Sequence, residues 1–94
     1  MKSANVPSSI AYLLPLAEVW GIGDDLDREA AVESAATDDL RQMVEAVDYA
    51  EDLGLYDWLS GDESYADQPS DEYVAITCLT MAADLARPRL RREA

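Results

Sequence analysis

Histidine and phenylalanine are missing from this 94-residue chain, which also has a single cysteine, Cys78, and a single lysine, Lys2. Each shortage removes a class of explanation. Without histidine the commonest general base near neutral pH is gone, and so is any zinc site built from cysteine and histidine ligands. One cysteine closes no intramolecular disulfide, which fits a reducing cytoplasm as the expected location. The longest nearly apolar run, residues 10–22, is broken by Pro15 and Glu18 and falls short of the roughly 20 residues needed to cross a bilayer. With only Lys2 ahead of it, the same run makes a poor secretory signal. No glycine-rich phosphate loop, serine-centred elbow or paired-cysteine motif occurs. Neither a cofactor nor a catalytic group is expected.

What the chain has in abundance is acid. Asp and Glu number 20 against 7 Lys and Arg, a formal net charge of -13. The imbalance is uneven: residues 1–86 hold every acid except Glu93, while Arg87, Arg89, Arg91 and Arg92 crowd the last eight positions. A field of that sign repels nucleic acid and anionic membranes and speeds encounter with basic partners. Acidic, lysine-poor composition also arises from growth in high salt or from genome base composition. Hydrophobic residues at 49% supply enough apolar surface for one small folded domain over residues 1–94.

The periodicity predicts an all-α fold, a compact irregular bundle of four main helices plus one short helical turn. Residues 1–7 read as a loose arm. Ser8 or Ser9 can cap a first helix reaching Trp20, with Ile10, Leu13, Leu14 and Ala17 as its apolar stripe, broadened by Tyr12, Leu16 and Val19. Pro15 admits two arrangements: a kinked helix, which we favour from sequence, or a turn over residues 9–13 followed by a helix that starts at the proline. A second helix is expected over residues 25–36, offering Leu26, Ala30, Val32 and Ala35. Thr37 then caps a third with its hydroxyl; Leu40, Met43, Val44, Val47, Ala50 and Leu53 form one face, and Arg41, Glu45, Asp48 and Asp52 another. Gly54 followed by Leu55 reads as a left-handed stop. "LYDWLS" at 55–60 makes one turn that docks Leu55, Trp58 and Leu59. After a loop, Pro69 and Ser70 introduce the last helix, which has no charge over residues 73–83 and should be central, with Val74, Ile76, Cys78, Leu79, Met81 and Leu85 around it. Pro88 is expected to end it, leaving residues 88–94 as a basic tail that folds back on the acidic body or lies in solvent.

"WGIGDDLDRE" at 20–29 is the stretch most like a motif. Gly21 and Ile22 fit the stop of one helix, and Asp24 fits the N-cap of the next, with Asp25, Asp27 and Glu29 near its positive end. The alternative is a metal site at Asp24, Asp25 and Asp27, with Glu18 as a further candidate, in a metal-binding protein or a small metal-assisted enzyme. A calcium loop starting at Asp25 would want Gly at its sixth position and Glu at its twelfth, where Ala30 and Ala36 stand. "GDDLD" at 23–27 also resembles the Asp-Ser-Leu prosthetic-group site of acyl carrier proteins. Asp25 replaces the serine that would carry the group, so the likeness implies no carrier function.

Binding is the remaining reading. Glu45, Asp48, Tyr49, Asp52, Tyr56, Asp57, Trp58, Asp62, Glu63 and Tyr65 interleave aromatic rings with carboxylates, the make-up of anchors surrounded by a steering rim. The same rings also serve to complete a core that has no phenylalanine. The expectation is a non-catalytic interaction module whose acidic surface, centred on residues 45–67, covers a basic protein partner in the manner of immunity proteins, antitoxins or nucleic-acid mimics. Direct nucleic-acid binding through the arginine tail and membrane attachment are not expected. A homodimer formed through the third helix's face is a further alternative.

Overall fold

The computed structural model describes residues 6–20, 24–61 and 67–93. The architecture is all-α, with α1 over Leu13–Trp20, α2 over Asp25–Ser34, α3 over Thr37–Asp52, α4 over Leu55–Leu59 and α5 over Asp71–Glu93. The last helix organises the rest. Its 23 residues extend roughly 34 Å at 1.5 Å each, close to the molecule's 40 Å long axis, and α1, α2 and α3 all pack along it. Ile76, Leu79, Ala82, Ala83 and Ala86 face inward, where small alanines let the neighbouring helices approach. They meet Ile10 and Leu13, Val32, and Leu40, Met43 and Val47 from the three partners. Sealing each branched or long apolar side chain from water contributes roughly 1.5–3 kcal/mol.

Local punctuation explains most boundaries. Asp24 caps α2 reciprocally: its Oδ1 accepts from the Asp27 amide at 3.0 Å, and Asp27 Oδ2 accepts from the Asp24 amide at 3.2 Å. Ser70 Oγ accepts from the Tyr73 amide at the start of α5. Gly54 closes α3 with φ 97°, the left-handed conformation expected of it, and its carbonyl then accepts from the Trp58 amide to open α4. Leu55, next in sequence, is fully buried. The stop anticipated at Gly21 and Ile22 lies outside the described residues.

Elsewhere the structure differs from the sequence expectation. The first helix does not start at Ser8 and kink at Pro15. Residues 8–12 form tight turns, in which Ile10, Leu13 and Leu14 donate to carbonyls three residues back, and α1 begins at Leu13. Pro15 therefore falls in the first turn, where its missing N–H has no intrahelical acceptor to satisfy. Of the arm expected over residues 1–7, Val6 instead packs against the core. Helix α2 stops at Ser34, whose hydroxyl donates back to the Ala30 carbonyl, and not at residue 36. Thr37 does not cap α3: Ala36 is the N-cap without a side-chain bond, and Thr37 Oγ1 donates to Glu93 Oε2 at 2.9 Å.

Pro88 does not end the last helix, and residues 88–93 are no tail. The extra turn is held from outside. Arg89 donates to the Val32 carbonyl, Leu90 packs against the core, Arg92 stands 3.9 Å from Glu33, and Glu93, 3.4 Å from Arg89 in the same helix, accepts from Thr37. These ties to α2 and to the start of α3 offset the hydrogen bond that proline removes. Burial also departs from the apolar pattern. Leu26 on α2 is 73% exposed and Val19 on α1 is 67% exposed, and Cys78 is half-buried, not deep in the interior.

Candidate functional site

The residues singled out for partner binding fall on the outward side of α3 and on α4. Along α3, Glu45, Asp48, Tyr49 and Asp52 recur at three- and four-residue steps and are all exposed. Tyr56 and Asp57, also exposed, lie on α4 just past the left-handed turn at Gly54, and Tyr56 is tied back to the end of α3 through Glu51. The carboxylates are flanked on both sides by phenols. Tyr49 stands on one flank, 62% exposed, its ring 6.3 Å from that of Tyr12, whose hydroxyl donates to the Ala46 carbonyl at 2.7 Å. On the other flank Tyr56 donates to Glu51 Oε1 at 2.9 Å.

Arg87 reaches this second flank from α5. Its Nη2 lies 2.8 Å from Asp48 Oδ1 and 3.7 Å from Glu51 Oε1, and its Nε is 3.6 Å from Asp84. The hydrogen bond to Asp48 raises the guanidinium's pKa, with further support from the Asp48, Glu51 and Asp84 charges against the opposing pull of burial. Burial raises the Tyr56 phenol above its ordinary value of 10.0, assisted by the hydrogen bond to Glu51 and the charges of Glu51 and Asp84, while Arg87 acts the other way. Burial, then Tyr49, raises Tyr12 in the same direction. One edge of the face is thus partly neutralised, and Glu45, Asp52 and Asp57 carry its outward charge.

Trp58 takes a different position from the other rings. It is half-buried against the core, 5.5 Å from the ring of Tyr73, whose hydroxyl donates to the Leu59 carbonyl at 2.6 Å. Its place is between α4 and α5, as the docking of "LYDWLS" anticipated. Asp62, Glu63 and Tyr65 lie outside the described residues. Sequence reasoning missed Tyr12 and Arg87. Tyr12 was grouped with the apolar stripe of the first helix, and no short-range pattern connects it to Tyr49 or connects Arg87 to residues on α3.

The acids proposed as a metal site are engaged in capping, as Asp24 and Asp27 satisfy each other's backbone amides. Among the described residues, no three Asp, Glu or Cys side chains gather closely enough to hold a metal ion, and the Asp25 side chain is not among those described. Nor is any described helix long and apolar enough to cross a membrane. No protein-family model matches the chain, and neither a curated protein nor a solved structure matches it.

Proposed function

We propose that this chain is a non-catalytic interaction module that covers a basic patch on a protein partner with the acidic, tyrosine-flanked face of α3 and α4. The observation that carries the reading is the placement of Tyr49. A core without phenylalanine has every use for a large ring, yet this one is 62% exposed among carboxylates. Tyr56, at 48% exposed, repeats the arrangement on the opposite flank. Phenols contribute apolar contact area with few rotatable bonds, and Glu45, Asp52 and Asp57 would steer a basic surface toward them. Protection of a basic active site, as by an immunity protein or antitoxin, or mimicry of a nucleic acid's charge, are the forms this activity takes.

The complex should weaken as salt screens the exposed charges. Affinity capture from the native host, at low and high salt, tests it with the wild-type chain and a Tyr49→Ser, Asp52→Asn, Asp57→Asn variant. A basic protein retained by the wild type at low salt, released by salt and absent from the variant supports the proposal. Recovery of no basic partner in either condition overturns it.

A further inference from the structure

The outward side of α5 carries an apolar strip that the described residues leave partly exposed. Val74, Cys78, Met81 and Leu85 follow one another at steps of four, three and four residues, the spacing that keeps side chains on one line of a helix. Val74 is 45%, Met81 46% and Leu85 37% exposed. At about 100° per residue the strip falls opposite Ile76, Leu79 and Ala83, which make the core contacts. It runs roughly 17 Å along the helix. Beside Met81 and Leu85 the surface opens into a groove of about 330 Å³ bordered by Arg28, Glu29 and Asp84. A helix that is apolar around its circumference ordinarily lies inside; this one, packed by α1, α2 and α3, still leaves Val74, Met81 and Leu85 exposed.

We propose that the strip is the contact between two copies of this chain, with their α5 helices antiparallel about a two-fold axis between residues 79 and 80. The strip is self-complementary. The register that sets Val74 against Leu85 of the second copy also sets Cys78 against its Met81, and the relation reads the same from either side, as an isologous interface requires. Charge fits the same register. The helix begins with Asp71 and Glu72 and ends with Arg91 and Arg92, so each copy's Asp71 comes within about one helical turn of the other's Arg92. The strip itself is a weakly charged zone on a very acidic body. Residues 73–83 have no charge; of the carboxylates beside the strip, Asp84 and Glu33 lie 3.6 Å and 3.9 Å from Arg87 and Arg92, and Glu29 borders the groove together with Arg28. A basic amphipathic peptide, the other candidate occupant, would find two of those three acids already beside arginines.

Sedimentation equilibrium of the full chain, from micromolar to near-millimolar concentration, tests this. A monomer–dimer equilibrium should appear and tighten with added salt, because screening relieves repulsion between two bodies of net charge -13. Met81→Glu should raise the dissociation constant about 100-fold or more by placing two carboxylates at the centre of the contact. Its circular dichroism should stay that of the wild type, since the side chain faces away from the core. A short bismaleimide should join Cys78 to Cys78 in the wild type and much less in Met81→Glu. A single monomer mass at every concentration and salt overturns the proposal, as does a dimer indifferent to both Met81→Glu and Leu85→Lys. The acidic face of α3 is separate, and its complex should respond to salt with the opposite sign, so either idea can fail without the other.

Discussion

Arg87 and Asp48 stand 39 positions apart in the chain and meet at 2.8 Å, joining the last helix to the third. The Arg87 side chain is 29% exposed and also faces Glu51 and Asp84. Removing it leaves three carboxylates in mutual repulsion. Because the Asp48 side chain is 49% exposed, water already screens much of the attraction. Arg87→Ala should therefore cost about 1 kcal/mol at low ionic strength. Urea unfolding should show the deficit shrinking in concentrated salt.

Tyr56 makes stability depend on alkaline pH. Its phenol holds the proton more tightly in the folded chain than its ordinary 10.0 would allow, chiefly through burial and the bond to Glu51. The contribution is complete below pH 10.0 and disappears as the pH climbs through the higher folded value. Tyr12 is shifted in the same direction. The urea midpoint should fall as pH rises above 10.0, and less steeply in Tyr56→Phe. Phenolate absorbance should show that variant lacking one late-titrating tyrosine.

Gly54 is a purely conformational requirement. With φ 97° it sits where a Cβ is strained, yet an added Cβ would meet no atom within 4 Å. Gly54→Ala should lower stability by about 1–2 kcal/mol through backbone strain alone. Gly54→Asn should lose less, because asparagine tolerates the left-handed region better. Equal losses in the two variants, measured by chemical unfolding, would contradict this account.

Pro88 offers a stabilising change. Inside α5 it leaves the Asp84 carbonyl without its helical donor and crowds that turn. Pro88→Ala restores the amide and should raise stability by roughly 1–3 kcal/mol. The result should appear as a higher urea midpoint with an unchanged denaturant slope. A loss of stability would mean that the proline sets the path of the last turn toward Val32 and Glu33.

Much of the fold could be read locally. The Asp24 cap, the left-handed Gly54 with buried Leu55, the Ser70 cap and the inward face of α3 each depend on residues within one or two turns of each other. Pro88 illustrates the limit. Proline's local signal is to stop a helix, and the packing of Leu90 on the core, with contacts from Arg89 and Arg92 to residues more than 50 positions away, outweighs it. The candidate site divides similarly. Its carboxylates share a helical face that spacing reveals, whereas Tyr12 and the neutralising Arg87 arrive from the turns before α1 and from α5.

The sequence by itself determined that this is an acidic helical protein, where most of its helices start, and that Arg residues cluster near one end, because capping, periodicity and charge are properties of neighbouring residues. Only the tertiary structure decided which apolar side of α5 is buried and which, through Val74, Met81 and Leu85, meets water. Apolar residues lie around most of that helix's circumference, and the choice rests on where α1, α2 and α3 come to lie.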